Sequence, residues 1–392
     1  MLVVGLFGYR FLEIARQRSR SMKILVVLAA SMLSLEVLVE PFGADTHRQL
    51  ERKVRQHMGK TGKSLLEAAE EVLLRPSDAI VQPLGLPAMH SHEIYPQKLV
   101  TQHPMVGYLH LTVANLTHEC EDMIVCSMTC IEPPKVVQTL TDFFALTSRK
   151  MHIVGPVVRL WKTTEQTMAE QSPGVASFID GLLQMHGRQS MVYISFGTVF
   201  WSSQPEMVWT LLDVLLEKSI PFIMAQASPL CQLPEHVAQK VRTSRIGLIT
   251  PWAPQQLILE HPATGWFVTH GGFNSILESV HAGVPMICWP FAADQPLNTV
   301  QLTENLDIAY ELLEVRTGEP GLKPIYRTGK APKGTLAAVR EETRAVLDRA
   351  FGEDGARKRG NILKLREVSL GMWAERGAGR LAAEEMLSSI GL

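Results

Sequence analysis

The chain has 392 residues, 46% of them hydrophobic, which is enough to build two domains with buried cores. Its 38 basic and 39 acidic residues leave a net charge of -1, so no basic excess points to a nucleic-acid partner or a charged membrane surface. The five cysteines are scattered without a CxxC pair, which favours free thiols in a reducing compartment over a disulfide framework or a zinc site.

The N-terminal part shows short apolar segments separated by charged sequence. Leu2–Phe7, Ile24–Leu28 and Met123–Cys126 are each predicted to form a short buried strand. An apolar run over 24–35 follows several basic residues, but a membrane span needs roughly 20 apolar residues, so we predict a strand and a helix there instead. Asp45–Leu74 is rich in Lys, Arg and Glu and is predicted to be a solvated helical stretch.

Polar sequence separates this part from a more regular one. Met151–Pro156 is predicted to be the last strand of the first domain, 157–175 an interdomain linker and 176–392 a second domain. Strands and helices alternate in the second domain, which implies an α/β fold with a parallel sheet covered on both faces. Residues 337–380 are predicted to be mostly helical, with a break near 352–355. The predicted strands are Met191–Phe196, Pro221–Ala225, Arg245–Thr250, Gly265–Thr269, Val284–Trp289 and Asp307–Glu311, and the predicted helices are Gln204–Lys218, Gln255–Glu260, Asn274–Ala282 and Leu297–Asn305.

A diglycine turn joins one of these strands to the helix that follows it. The two glycines let the backbone approach a ligand closely. The helix start then offers free N–H groups and a partial positive charge, which suit a diphosphate. His270 and Ser275 can add donors to phosphate oxygens, and Asn274 is predicted to be the helix N-cap.

Other polar and aromatic residues follow the ends of neighbouring strands. Glu278 lies one turn into the helix and can accept hydrogen bonds from both hydroxyls of a ribose. Trp252 follows another strand, where its ring can stack on a base for about 1–3 kcal/mol. Asp294 and Gln295 offer acceptors and a donor to sugar hydroxyls. Because parallel strands end at one edge of a sheet, these residues are predicted to surround a nucleotide sugar.

The segment from 252 to 295 resembles the signature block of the UDP-dependent glycosyltransferases of family 1. The family pattern runs W-x-P-Q, H-x-G-x-N-S-x-x-E, G-V-P, P and D-Q, and every position is matched here. Upstream, residues 195–198 resemble the family's S-x-G-[ST] loop. The resemblance implies that these residues bind the UDP-sugar: Ser195, Gly197, Thr198, Trp252, Ala253, Gln255, His270, Gly272, Asn274, Ser275, Glu278, Asp294 and Gln295. No cofactor or metal ion is expected, since the helix start and side-chain donors meet the diphosphate charge and the block has no Asp-x-Asp pair.

The fold implied by the resemblance is GT-B, with two doubly wound parallel-sheet domains facing across a cleft. Residues 1–156 would be an incomplete acceptor-side domain and 176–392 the donor domain, with a helix near 356–380 returning to the first domain. The family's catalytic histidine and its orienting aspartate are not visible, and Gly5 or Leu6 would stand in the place of the aspartate. We therefore predict an N-terminally truncated, fungal-type member and assign no catalytic base. His90 and His92 are the best of several weak candidates for that role.

The implied activity is hexose transfer from a UDP-sugar, with inversion, to a hydroxyl of a small or lipophilic acceptor. Two alternatives are a non-catalytic UDP-sugar binding protein and the donor-binding subunit of a two-chain transferase, in which a partner chain completes the N-terminal sheet. We expect no nucleic-acid partner and no stable membrane span. The expected location is cytoplasmic, with peripheral membrane association left open, and neither the sugar nor the acceptor is specified by the sequence.

Overall fold

The chain forms two compact units with α/β architecture. The computed structural model describes residues 2–5, 14, 17–19, 23–38, 46–100, 106–157 and 168–391. The first unit comprises 1–91, 102–157 and 368–392, and the second comprises 92–101 and 158–367. Each unit is built on a parallel β-sheet, which confirms the predicted fold class.

The first unit contains a four-stranded sheet. Its strands and helices are β1 (Leu2–Gly5), β2 (Ile24–Leu28), α1 (Met32–Leu38), α2 (Thr46–Thr61), α3 (Leu65–Leu73), β3 (Ile80–Val81), β4 (Met89–His90), α4 (Val106–Glu119), β5 (Asp122–Val125), α5 (Pro134–Leu146) and β6 (Lys150–Ile153). The sheet has the order β1-β2-β5-β6 with all pairs parallel, and β3 and β4 form a separate antiparallel pair.

The charged stretch of this unit forms two helices rather than one. The first helix, α2, ends at Thr61, and Ser64 starts α3 with a capping box, in which Ser64 and Glu67 each bond the other's backbone N–H. Val54, Ala68 and Ala69 are fully buried where these helices pack together. The charged side chains lie on the opposite, exposed side, as expected for an amphipathic pair.

The second unit contains a six-stranded sheet. Its elements are α6 (Met168–Gln171), α7 (Pro173–His186), β7 (Met191–Ser195), α8 (Pro205–Glu217), β8 (Phe222–Ala225), α9 (Glu235–Ser244), β9 (Gly247–Thr250), α10 (Gln255–Glu260), β10 (Thr264–Thr269), α11 (Phe273–Ala282), β11 (Met286–Cys288), α12 (Gln295–Val300), β12 (Ala309–Glu311), α13 (Gly318–Gly321) and α14 (Leu336–Ala350). A π-helical turn, Gln301–Asn305, extends α12. Two helices, α15 (Glu353–Gly371) and α16 (Ala378–Ser389), complete the chain order.

The strand order of the second sheet places a switch point between β7 and β10. The order is β12-β11-β10-β7-β8-β9, and every neighbouring pair is parallel. The register aligns the last residues of the strands, because Ser195 pairs with Thr269 and Thr269 pairs with Cys288. Loops that follow the strands therefore emerge side by side at one edge, and the switch point of such a sheet is where ligands bind.

Two features of this unit differ from the sequence-based expectations. The helix α9 was not predicted, although Val237, Ala238 and Val241 form a buried stripe on it. The predicted helix over 337–380 breaks between Ala350 and Glu353, as expected, but it also has a second, unpredicted break after Gly371. Among the described residues, no helix is both long enough and apolar enough to cross a membrane.

A segment from early in the sequence is part of the interior of the second unit. Gln97 Nε2 donates to the carbonyl of Val315 at 2.8 Å, and Thr317 Oγ1 donates to Gln97 Oε1 at 2.9 Å. His92 Nε2 lies 2.9 Å from the carbonyl oxygen of Pro324. Since His92, Gln97 and Thr317 are all buried, these bonds fix 92–98 against the chain that follows β12.

A buried ion pair lies beside this segment. Arg316 Nη2 bonds Glu311 Oε1 at 2.8 Å, and Arg327 Nη2 bonds the other carboxylate oxygen at 2.6 Å. Arg316 Nη1 also donates to the carbonyl of Glu93 at 3.4 Å. Burial alone would raise the pKa of Glu311, but the two guanidiniums outweigh it and hold that pKa below its usual value. The carboxylate is therefore buried in its charged form.

Candidate functional site

The candidate site lies in the loops that follow β7, β9, β10 and β11. Residues 196–198 follow β7, and 270–272 follow β10 at the adjacent strand end. Residues 251–254 follow β9 and lead into α10, and 289–294 follow β11 and lead into α12. All thirteen residues predicted for donor binding lie at this edge of one sheet, as the alternation of strands and helices predicts.

The His270 ring lies between two glycines. A Cβ atom at Gly272 would stand 2.4 Å from His270 Nε2, and one at Gly197 would stand 3.0 Å from the same atom. Gly197 also has a φ of +70°, which disfavours any residue with a side chain. The two glycines are therefore required for the imidazole to occupy this position, at the point where the loops after β7 and β10 meet.

The imidazole of His270 is held neutral. Burial lowers the pKa of His270 to about 4. Its Nδ1 atom is buried, and it has no hydrogen-bond partner among the residues that the structure describes. A neutral imidazole carries one N–H group, and this N–H can donate a hydrogen bond to an anionic phosphate oxygen.

The helix α11 starts at Phe273, one residue before the predicted start at Asn274. Its N-cap is Gly272, so the prediction of Asn274 as N-cap was wrong. Gly272 has an extended backbone, as an N-cap residue does. Its carbonyl accepts the first hydrogen bond of the helix, from Ile276 N at 3.1 Å. The N–H groups of residues 273–275 precede that bond and point out of the helix start. Asn274 is exposed there, and Ser275 is buried.

Two glutamines hold the carboxylate of Glu278. Gln255 Nε2 bonds Glu278 Oε2, and Gln256 Nε2 donates to Glu278 Oε1 at 3.0 Å. Gln255 Nε2 also lies 3.3 Å from Ser275 Oγ. Tyr193, in strand β7, donates its hydroxyl hydrogen to Gln255 Oε1 at 3.4 Å. The start of α10 and the first turns of α11 are thus joined by side-chain hydrogen bonds.

A second network joins Asp294 to the diglycine turn. Asn298 Nδ2 donates to Asp294 Oδ2 at 2.9 Å and to the carbonyl of Gly271 at 3.1 Å. Burial raises the pKa of Asp294 to about 6, and the Asn298 bond opposes that shift. Gln295 is 4% exposed, and its Oε1 accepts from the N–H groups of Phe291 and Ala292 at 2.8 and 3.1 Å. Gln295 Oε1 is therefore occupied in holding the loop after β11. The Asp294 carboxylate is the neighbouring group that can accept hydrogen bonds from a ligand.

The remaining predicted residues differ in exposure. Trp252 is 56% exposed, and its carbonyl accepts from Thr250 Oγ1 at 3.0 Å. Thr198 is also exposed, whereas Ser195 and Ala253 are buried at the base of their loops. The exposed indole of Trp252 therefore has a ring face available to a ligand. The buried Ser195 and Ala253 pack beneath the loops after β7 and β9.

The sequence did not reveal three residues of these networks. Gln256, Asn298 and Tyr193 hold predicted site residues through hydrogen bonds. Tyr193 is two residues before Ser195 in β7, and that spacing puts both side chains on one face of the strand. A second local signal is the spacing of four between Asp294 and Asn298, because residues four apart in a helix are neighbours. The other two bonds depend on how neighbouring helices pack.

Comparison with known proteins places these loops in a family. The family model described as UDP-glucoronosyl and UDP-glucosyl transferase matches residues 163–313. The UDP-glycosyltransferase eriJ of Hericium erinaceus is 32% identical over 349 residues, which cover 86% of this chain and 68% of that protein. The anthocyanidin 3-O-glucosyltransferase UFGT of Vitis vinifera is 38% identical over 174 residues, which cover 43% of this chain and 37% of that protein.

Solved structures share the fold over nearly the whole chain. A ugt transferase from Siraitia grosvenorii, solved in complex with UDP, has a TM-score of 0.70 at 20% identity, covering 99% of this chain and 81% of that one. UGT71G1 from Medicago truncatula, solved with UDP-glucose, has a TM-score of 0.68 at 18% identity, covering 99% and 74%. Both likenesses concern the fold, which is GT-B.

Proposed function

Because the chain belongs to the UDP-glycosyltransferase family, we propose that it transfers a hexosyl group from a UDP-sugar to a hydroxyl of a small or lipophilic acceptor. The observation that supports this proposal most directly is the neutral His270 ring held between Gly197 and Gly272 beside the start of α11. A helix start with an added N–H donor favours a diphosphate. In this proposal the diphosphate needs no metal ion or cofactor.

Each part of the donor has a proposed place at the sheet edge. The uracil stacks on Trp252, and the ribose hydroxyls donate to Glu278, which is already oriented by Gln255. The sugar hydroxyls bond Asp294. The diphosphate lies at the α11 start near His270, Ser275 and Asn274. Ser195, Thr198, Ala253 and Gln295 complete the proposed donor site as loop-shaping and lining residues.

The reaction is a single displacement. The acceptor oxygen attacks the anomeric carbon as the bond between that carbon and the β-phosphate oxygen breaks, so the configuration inverts and UDP leaves. The hydroxyl proton passes to a base, and donors around the diphosphate stabilise the charge that develops on the leaving group. We propose 176–392 as the donor domain, 157–175 as the linker and 1–156 as the acceptor side.

The histidines described in the N-terminal half are bonded or buried. His90 Nδ1 lies 3.2 Å from the carbonyl oxygen of Asp78, and His92 is fixed at Pro324. Burial lowers the pKa of His110 to about 4. His152 is buried as the third of the four residues of β6, and its Nε2 lies 3.8 Å from the carboxylate of Asp122. None of these four is assigned as the base, and the side chains of His47 and His103 lie outside the described residues.

Two alternatives make a different prediction about turnover. The chain spans 68% of the fungal relative's length and 37% of the Vitis enzyme's. With no base assigned among the described histidines, the two alternatives are a UDP-sugar binding protein and the donor-binding subunit of a transferase whose acceptor side is completed by a partner chain. We propose a cytoplasmic location, which the five free thiols support.

Titration calorimetry and a UDP-release assay test the function together. We expect UDP and a UDP-hexose to bind with a Kd below about 1 mM, while ADP binds more weakly because its base differs. A panel of phenolic and sterol acceptors should then support UDP release. Binding without release on any acceptor favours the two alternatives, and no detectable binding of UDP contradicts the proposal.

Replacing Trp252 by alanine should weaken UDP binding without changing stability. Loss of one aromatic stacking partner costs about 1–3 kcal/mol, or roughly 5- to 150-fold in Kd. The melting temperature should stay the same because the ring is 56% exposed. Trp252→Phe should recover part of the affinity. Phe351→Ala removes another exposed ring, 43% accessible, and serves as the control. An unchanged Kd in Trp252→Ala would exclude base stacking at this position.

Affinity for a UDP-hexose should rise as the pH increases through about 6. The pKa of Asp294 is raised to about 6, so its carboxyl is protonated at pH 5 and ionised at pH 7.5. The ionised form accepts stronger bonds from sugar hydroxyls, by about 1 kcal/mol or roughly fivefold in Kd. His270 stays neutral throughout, since burial lowers its pKa to about 4.

The variant Asp294→Asn is the control for this pH dependence. A UDP-hexose carries both phosphates as esters, so neither titrates over this range. Calorimetry at pH 5 and pH 7.5 should give the wild type two different Kd values and Asp294→Asn a single one. If the variant keeps the wild-type pH profile, the titrating group is not Asp294.

A further inference from the structure

Glu278 is held on both of its oxygens, and only one of the two anchors belongs to the recognised signature. Gln255 is the glutamine of the W-x-P-Q motif, and it bonds Oε2. Gln256 lies outside the motif, and its Nε2 bonds Oε1 at 3.0 Å. Both glutamines open α10, whereas Glu278 lies in the second turn of α11.

Two anchors restrict the carboxylate more than one does. A carboxylate has about four lone-pair directions on its two oxygens. With a single amide bond, the group can still turn about its last side-chain bond. With one amide on each oxygen, its plane is fixed and one lone pair on each oxygen remains for another donor. Those two free positions match the paired hydroxyls of a ribose.

We propose that Gln256 is a positioning residue that fixes the plane of Glu278 and so sets the selectivity of the site for a ribose over a deoxyribose nucleotide. This inference rests on the proposed function, because it assumes that UDP binds at the α11 start. Gln256 acts through Glu278, so its removal should affect recognition of the ribose hydroxyls and leave the diphosphate contacts intact.

The experiment compares UDP with 2′-deoxy-UDP by calorimetry in the full chain. Gln256→Met keeps the length of the side chain but removes the N–H donor. Because the variant loosens Glu278 without removing it, we expect a partial loss of the bonds to the ribose hydroxyls and a rise in the Kd for UDP of about 2- to 12-fold. The Kd for 2′-deoxy-UDP should change less, which lowers the ratio of the two Kd values.

Gln256→Lys is the matched variant, since its ammonium can donate to the same carboxylate oxygen. We expect it to retain most of the wild-type ratio. In turnover assays, Gln256→Met should raise KM for the UDP-sugar with little change in kcat, as expected when binding is lost equally in the ground state and the transition state.

The outcomes separate the inference from the function beneath it. Wild-type binding of UDP together with an unchanged Kd ratio in Gln256→Met overturns the positioning role and leaves the proposed function standing. A Kd that rises equally for UDP and 2′-deoxy-UDP also overturns it, because the effect would then be a general loosening of the site. Failure of the wild type to bind UDP at all removes the proposed function, and the inference with it.

Discussion

Replacing Arg316 by alanine is expected to destabilise the second unit by about 3 kcal/mol or more, because it removes one partner of a buried ion pair. Arg316 and Glu311 are 3% and 6% exposed at their side chains, and their bond is 2.8 Å long. The variant leaves the Glu311 carboxylate buried with Arg327 as its remaining cation. It also removes the bond that Arg316 donates to the carbonyl of Glu93.

Chemical denaturation followed by tryptophan fluorescence measures this loss. Trp266 and Trp289 are buried in the core of the second unit and report on its unfolding. Arg340→Ala is the matched control, since Arg340 pairs with Asp213 at 3.4 Å on the surface, and exposed pairs contribute about 0–1 kcal/mol. A loss in Arg316→Ala no greater than that of the control would mean that the buried pair contributes little to stability.

Gly272→Ala is expected to lower UDP affinity about 10- to 100-fold, the equivalent of one hydrogen bond to a charged group. The added Cβ would stand 2.4 Å from His270 Nε2, so the imidazole must leave its position between the two glycines. The backbone of Gly272 is extended, with φ of -66°, so alanine brings no backbone strain. The effect therefore comes from the displaced ring.

Calorimetry with UDP tests this prediction, with Gly360→Ala as the control. Gly360 is an exposed helical glycine, and a Cβ there would meet no atom within 4 Å. It should leave the Kd unchanged and stabilise the helix slightly, by about 0.5–1 kcal/mol. Gly272→Ala with wild-type affinity would show that the His270 position is not needed for the diphosphate. If Gly272→Ala loses its fold, visible by circular dichroism, His270→Ala tests the role of the same ring without adding a Cβ at 272.

The positions of the strands along the chain and the loops that carry the site could be predicted from local sequence. The strand β10, the diglycine turn and α11 are adjacent in the chain, so an apolar run followed by two glycines and a helical pattern indicates them directly. All six strands of the second sheet begin and end within two residues of their predicted bounds. The parallel topology followed from the alternation of strands and helices.

Other features depend on residues far apart in the chain. The bonds between segment 92–98 and residues 315–324 span more than 200 positions, and no local pattern reports them. The Gln256 bond to Glu278 requires α10 and α11 to pack side by side. The error at Asn274 was of another kind, since a preference for asparagine at N-caps was applied although the preceding glycine already supplied the extended residue.

The second unit is discontinuous along the chain, and this limits how the protein can be divided. It includes 92–101, which lie far from 158–367 in sequence. A fragment cut at the predicted linker would lack Gln97 and Glu93, so the polar groups of Thr317 and Arg316 would lose buried partners. To study the second unit separately, residues 92–101 must therefore be supplied as well, either fused to 158–367 or added as a peptide that complements the fragment.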